Sequence, residues 1–282
     1  MILYQSSFDL NKKLRSLQGN GLSIGFVPTM GALHEGHIAL INHSKLKNNI
    51  TIASIFVNPT QFNDPQDFAK YPATLEADII KLSLAGCDLL FLPNIQEIYP
   101  NGTGNLPLYE LGAIENLLEG FYRPGHFQGV CQVMERLLGI IQPNRLFLGQ
   151  KDFQQCMVIS KLNEQLPNRA IIEIVPTVRE KSGLAMSSRN KRLSEEGLKN
   201  AAAIYQSLNF LKNKLAPGKL TDLLETAGKM LTDAGFEKID YLVIADRASL
   251  SVLTHWDGKT PVTAICAAFL GGVRLIDNLA LN

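Results

Sequence analysis

The chain of 282 residues sets 27 Lys and Arg against 26 Asp and Glu, a near-neutral balance that excludes a nucleic-acid coat or a membrane-surface protein. With 46% hydrophobic and 19% charged residues it has the composition of a packed globular protein, long enough for one large core or two unequal domains. Any recognition of anions must be local, built from a few aimed groups.

Met1 to Leu17 mixes polar and charged residues with short apolar steps and lacks the apolar core of a signal peptide. No stretch is long and uncharged enough to cross a bilayer, so a cytoplasmic location is expected. Cys87, Cys131, Cys156 and Cys266 are widely spaced among apolar neighbours and read as reduced core thiols. The first strand runs from Ile24 to Val27 and ends at Pro28. Next, Ile38, Leu40, Ile41 and Leu46 give Gly36 to Lys47 a near-helical spacing. Thr51 to Val57 is β-branched and nearly all apolar, as in a strand buried on both faces. A helix from Thr74 to Ala85 leads through Gly86 to a strand over Asp88–Leu92. Then Gly129 to Ile141 reads as helix, Arg145 to Leu148 as strand, Phe153 to Leu166 as helix and Ile171 to Val175 as strand.

This alternation predicts an α/β domain over residues 1–176, a parallel sheet covered on both sides, with ligands outside the carboxyl ends of its strands. Residues 177–282 read differently. Ser194 caps a helix predicted to run to Leu215, where Pro217-Gly218 breaks it, and a second helix spans Leu220 to Ala234. Strands follow at Asp240–Ile244, Val262–Phe269 and Val273–Ile276, the last two joined by a Gly271-Gly272 turn, giving a smaller α+β domain.

The sharpest segment is Pro28-Thr29-Met30-Gly31-Ala32-Leu33-His34-Glu35-Gly36-His37, in the first strand-to-helix turn. Gly31 and Gly36 let a phosphate approach the backbone, and His34 and His37 lie three apart at a helix start that favours anions. Two imidazoles and backbone N–H groups suit a triphosphate whose α-phosphorus gains charge in the transition state. Metal ligation and simple helix capping are the competing readings of the histidines; the first lacks i,i+4 spacing and an evident third ligand. Asn58 and Gln61 follow the second core strand and either face the crevice or cap their own turn. Gly149-Gln150-Lys151-Asp152 follows a strand, where Lys151 can offset phosphate charge and Asp152 can accept from a ribose hydroxyl or act near Mg²⁺; alone, Lys-Asp is also a common solvated pair.

The H-x-G-H turn resembles the adenylate-forming nucleotidyltransferase superfamily, whose Rossmann-like domain carries it. The longer PTMGALHEGH is similar to the pantothenate synthetase family. Ser54–Phe62 (SIFVNPTQF), Leu118–Val130 (LEGFYRPGHFQGV), Gly149–Gln155 (GQKDFQQ), Gly183–Asn190 (GLAMSSRN) and Arg274–Asn278 (RLIDN) extend the likeness over essentially the whole chain.

The resemblance implies a ligase that joins pantoate to β-alanine at the expense of ATP, with AMP and pyrophosphate as products and Mg²⁺ beside the nucleotide. His34, His37, Lys151 and Arg189 are implied as catalytic. The implied ATP contacts are 30–37, 149–152, Val178, Met186, Ser187, Ser188 and Arg189, the last four matching the synthetases' K-M-S-K-S loop and placed on a lid domain. That range comprises Met30, Gly31, Ala32, Leu33, His34, Glu35, Gly36 and His37, with Gly149, Gln150, Lys151 and Asp152. Gln61 and Gln155 would hold pantoate, with Asn58 and Arg123 nearby and Pro28, Met30 and Phe62 as apolar walls; Gln61 would also touch β-alanine. A homodimer is implied, without nucleic-acid or membrane partners and without a resident protein-bound metal. One departure is Ser182-Gly183, where the family commonly has Asp-Gly. A related nucleotidyltransferase with a phosphorylated acceptor and a non-catalytic nucleotide-binding module are the rival readings.

Overall fold

The structure is a computed structural model that describes residues 1–63, 68–69 and 71–282. The described chain forms two compact units. The first comprises Met1–Asn116, Arg123–Gly149 and Gln155–Pro176; the second comprises Leu117–Tyr122, Gln150–Gln154 and Thr177–Asn282.

In chain order the first unit holds β1 (Ile2–Tyr4), α1 (Ser7–Gly19), β2 (Ile24–Thr29), α2 (Glu35–Lys47), β3 (Ile50–Ile55), α3 (Leu75–Leu84), β4 (Leu89–Phe91) and α4 (Ile95–Ile98). After α5 (Glu119–Tyr122), which belongs to the second unit, come α6 (His126–Ile141), β5 (Arg145–Gly149), α7 (Phe153–Gln165) and β6 (Ile171–Val175). The six strands form one parallel sheet in the order β1-β4-β3-β2-β5-β6. Strands β2 to β4 proceed to one side and β5 and β6 to the other. The order therefore reverses between β2 and β5, and the carboxyl ends of those strands flank the usual ligand crevice of such a sheet. Phe26, Phe91 and Phe147, on β2, β4 and β5, are fully buried, each contributing about 1.5–3 kcal/mol relative to an exposed ring.

The predicted strands and helices of this unit are present, with ends shifted by at most three residues. Strand β2 continues through Pro28 to Thr29, two residues beyond the expected stop. Ile24 O accepts from Asn144 N on the β5 side, so by the two-residue period Pro28 also faces β5. Pairing with β5 ends at Phe26, and the missing proline N–H breaks no ladder bond. The first strand and helix were not expected. β1 is a three-residue edge strand, and α1 buries only Leu10 and Leu14, too narrow a stripe to show in the pattern.

The second unit adds α8 (Glu195–Ala201), α9 (Ala203–Lys214), β7 (Gly218–Lys219), α10 (Thr221–Asp233), β8 (Lys238–Asp246), β9 (His255–Trp256), β10 (Val262–Leu270) and β11 (Val273–Ala280). An antiparallel sheet, β11-β10-β8, packs Ala264, Cys266 and Ala268 against helix residues including Ile204, Leu208, Leu211 and Leu231. The single helix expected from Ser194 to Leu215 is two. At Ala202 the N–H turns to Lys199 O, a tighter i−3 bond that interrupts the α-helical ladder. Gly271 and Gly272 join β10 to β11 with φ of +56° and +69°, the paired positive values of a type I′ hairpin turn. The four cysteines are buried and unbridged. Among the described residues no helix is long and apolar enough to cross a membrane.

Candidate active site

In the first unit the site begins where β2 turns into α2. Gly31 has φ +84°, a conformation that L side chains rarely adopt, and Ala32 follows at +51°. This reversal points two consecutive N–H groups at one carboxylate: Ala32 N donates to Asp78 Oδ2 at 2.8 Å and Leu33 N to Oδ1 at 2.8 Å. Asp78, on α3, is 2% exposed and also accepts from Thr74 Oγ1 at 3.0 Å. Lys81, one turn further on, donates to Leu33 O at 2.6 Å. A distant helix thus fixes the turn from both its donor and its acceptor sides.

His34 is the N-cap of α2. Its Nδ1 accepts Gly36 N at 3.1 Å, and His37 Nδ1 accepts His34 N at 3.2 Å, a reciprocal capping box made of two imidazoles. The rings lie 4.2 Å apart between centroids, and a Cβ on residue 36 would stand 2.8 Å from the His34 ring. Because each Nδ1 is an acceptor, the neutral rings carry their proton on Nε2, the donor atom an anion requires. The observed capping bonds use Nδ1 of each ring. Among the described residues no group of three or more His, Cys, Asp or Glu side chains is arranged to hold a metal ion.

A second segment follows β3. Asn58 is 1% exposed and its amide is spent within the protein. Its Nδ2 donates to Gln61 Oε1 at 3.1 Å and Gly129 O at 3.0 Å, while Oδ1 accepts from Tyr99 Oη at 2.8 Å and Thr60 Oγ1 at 3.1 Å. Asn58 caps the turn Pro59–Gln61 and orients the Gln61 amide; its contacts favour that role over direct contact with a substrate. Gln61 in turn directs Nε2 to Met30 Sδ at 3.1 Å, so the segments after β2 and β3 meet at these two side chains. His126 donates Nδ1–H to Gln61 O at 2.8 Å and takes Arg123 on Nε2 at 3.0 Å. Arg123 thereby bonds a buried imidazole that in turn bonds the glutamine's backbone.

Gly129 allows this arrangement. A Cβ there would lie 2.3 Å from Thr60 O and 2.8 Å from Gln61 Cα, both backbone atoms. Pro28 and Met30 are partly exposed, and Phe62 packs edge-on against Phe68 at 5.3 Å and Tyr71 at 5.9 Å. Gln155 is partly exposed near the start of α7. The sequence reading missed Asp78, Tyr99 and Gly129. Only Asp78 left a signal: it shares the buried i,i+4 register of α3 with Leu82, and a carboxylate on an apolar face needs partners.

In the second unit, Gln150–Asp152 forms a short 3₁₀ turn. Lys151, 18% exposed at its side chain, lies 3.7 Å from Asp152, which is 46% exposed. Residues 178–186 form a tight hairpin: Met186 N donates to Val178 O at 3.0 Å, Glu180 N to Leu184 O at 2.8 Å, and Gly183 N to Glu180 O at 2.9 Å. Gly183, at φ +93°, leaves room for Tyr205, whose ring a Cβ would approach to 2.3 Å. Ser182 occupies the hairpin's exposed end, where its Oγ accepts Leu184 N at 3.4 Å. The hairpin runs into Ser187, whose Oγ accepts Arg189 N at 3.3 Å, and Asn190 ties back to Ala185 O at 3.0 Å. Ser187 and Arg189 are partly exposed; Ser188 is buried.

The pantoate–β-alanine ligase family model matches residues 3–280. The pantothenate synthetase of Cytophaga hutchinsonii is 44% identical over 100% of this chain and 99% of its own, and that of Bacteroides thetaiotaomicron is 40% identical over 96% and 95%. Among solved structures, the pantothenate synthetase from Thermus thermophilus superposes with a TM-score of 0.91 at 38% identity, covering 100% of this chain and 99% of that one. The pantoate–β-alanine ligase from Francisella tularensis, complexed with beta-gamma ATP and β-alanine, gives 0.83 at 38% identity over 100% and 98%. With the paired imidazoles after β2 and the braced amides after β3 in place, the chain belongs to the pantoate–β-alanine ligase family.

Proposed function

We propose that the chain condenses pantoate with β-alanine to pantothenate at the expense of ATP, through a pantoyl-adenylate. The observation that carries the reading is the reciprocal imidazole cap, which sets two Nε2 donors at the start of α2. In the first step the pantoate carboxylate, already ionised at neutral pH, attacks the α-phosphorus and pyrophosphate leaves, so no general base is needed. His34 and His37 stabilise charge on the α-phosphate oxygens. Lys151, Ser187, Ser188 and Arg189 stabilise the β- and γ-phosphates, and the backbones of 30–37 and 149–152, with Val178 and Met186, hold the nucleotide. Mg²⁺ accompanying ATP would be held mostly by phosphate oxygens and water and would offset phosphate charge, with Asp152 the acidic side chain nearby in that turn. Gln61 and Gln155 bind pantoate, whose methyl groups rest on Pro28, Met30 and Phe62, while Asn58 acts through Gln61.

In the second step the neutral β-alanine amine attacks the acyl carbon and AMP departs. Rate enhancement comes from alignment and from fixed donors rather than from proton transfer in the first step. AMP formation is measured with Mg-ATP, pantoate and β-alanine, omitting each in turn, together with exchange of labelled pyrophosphate into ATP. The expected result is AMP only with both organic substrates and exchange with pantoate alone. ATP binding with neither signal would replace this reading by a non-catalytic nucleotide-binding module.

A further inference from the structure

The RLIDN segment of β11 has no role in the chemistry described above, yet its last two residues are 3% and 2% exposed and heavily bonded. Asn278 donates both amide hydrogens to consecutive carbonyls, Nδ2 to Gln150 O and to Lys151 O, each at 2.9 Å. Its Oδ1 lies 3.5 Å from Gln150 Nε2. Asp277 takes the Arg179 guanidinium on both oxygens, at 2.5 Å and 3.0 Å, and also accepts Asn278 N at 2.8 Å. The same guanidinium donates to Gly183 O at 3.1 Å and lies 4.0 Å over the Tyr205 ring that packs at Gly183. Burial pushes the Asp277 carboxyl above its ordinary range, and Arg179 opposes that shift.

We propose that Asp277 and Asn278 are positioning residues that hold two ATP-recognition elements from one strand: the Gln150–Asp152 turn through Asn278, and the 178–186 hairpin leading into Ser187–Arg189 through Asp277. This inference rests on the proposed role of Lys151 and Arg189 at the phosphates. The physical basis is donor geometry. Two successive carbonyls can share one side-chain donor only when the backbone between them curls tightly, and that curl fixes the direction in which Lys151 leaves the turn. On the hairpin, a two-pronged carboxylate and an aromatic face hold one planar guanidinium, which pins Gly183 O and with it the arm entering Ser187. Neither side chain needs to touch the nucleotide.

The test uses the full chain and steady-state kinetics of AMP formation. Asn278→Ala leaves the Gln150 and Lys151 carbonyls without this donor and should lower kcat/KM for ATP about ten- to hundredfold. The KM values for pantoate and β-alanine should stay within about twofold, inside the spread expected of unconnected sites. A general loss of structure would move all three. The decisive measurement is a double-mutant cycle. If Asn278 acts through Lys151, Asn278→Ala should add little in a Lys151→Ala background, whereas full additivity would overturn the proposal. Should Asn278→Ala not fold, Asp277→Asn, of equal size but with a weaker hold on Arg179, is cycled against Arg189→Ala with the same criterion. A wild-type chain that forms no AMP would count against the proposed function. An active wild type with unchanged ATP kinetics in the variants would count against Asp277 and Asn278 alone.

Discussion

The turn after β2 and the loops of the second unit place their candidate phosphate-binding groups by opposite means. At the first, the His34 ring accepts Gly36 N and the His37 ring accepts His34 N, bonds that close within three residues. The Gln150–Asp152 turn and Arg179 in the 178–186 hairpin are bonded instead by Asn278 and Asp277 on β11, 98 to 128 residues away in sequence. The first arrangement makes ring orientation a property of a local cap, which forms whenever α2 forms. On the proposal above, the second makes loop geometry depend on those particular β11 bonds, so losing them changes the loops.

The comparison is tested most severely at His37. His37→Ala removes one donor proposed for the α-phosphate and should lower turnover roughly 10²–10³-fold, the scale of losing a transition-state hydrogen bond. Because the residue is partly exposed at a helix start, thermal stability should change little. A variant that retains nearly full pyrophosphate exchange would remove His37 from the chemistry. Asp78→Ala attacks a distant brace of the same turn. It leaves Ala32 N and Leu33 N without their acceptor, each buried N–H costing about 1–3 kcal/mol. Chemical denaturation should show that loss, with turnover falling as the turn loosens; unchanged stability would mean that water or a neighbour replaces the carboxylate.

These contrasts explain what could be read from the chain beforehand. The alternation of strands and helices, the H-x-G-H cap and the Gly271-Gly272 hairpin are carried by neighbouring residues, and their periods survive in sequence. Asp277 and Asn278 were visible only as part of a familiar string, because nothing near them in sequence indicates that their partners are Arg179, Gln150 and Lys151. Glu119 is a similar case. It sits in a stretch of 1–176 yet belongs to the second unit, where it takes Arg274 at 2.6 Å and 2.9 Å and the Tyr241 hydroxyl at 2.6 Å. No periodicity records that a six-residue segment leaves one unit for the other. Asn58 shows the converse: its type and place suggested either capping or substrate contact, and only the full set of hydrogen bonds shows its amide committed to Gln61, Gly129, Thr60 and Tyr99.

Gly129→Ala sharpens the contrast at the level of one methyl group. The added Cβ meets backbone at Thr60 and Gln61, which has no rotamer to yield, so a loss of about 1–3 kcal/mol in stability is expected. Moving Gln61 should raise the KM for pantoate more than that for ATP. Equal rises in both would show that the 59–61 turn is coupled to the β2–α2 turn more tightly than the Gln61–Met30 contact implies.

The smallest effect is expected at a local motif inside the second unit. Asp257 accepts Lys259 N and Thr260 N at 2.8 Å each and Thr260 Oγ1 at 2.9 Å. The Thr260 and Lys259 backbone N–H groups hold its carboxyl down to about 2, from an ordinary 3.8. A depressed carboxylate contributes stability that is fully present above its unfolded value and is lost as pH falls through the folded one, here from about 3.8 to about 2. An NMR titration of the Asp257 carboxyl carbon should therefore give a midpoint near 2, and one near 3.8 would show that the turn is open in solution. Asp257→Ala should leave the ATP kinetics unchanged, because its bonds close within three residues and reach neither loop. If instead it lowers kcat/KM for ATP as Asn278→Ala does, the loops respond to any loosening of the second unit, and the specific hold from β11 is not what places Lys151 and Arg189.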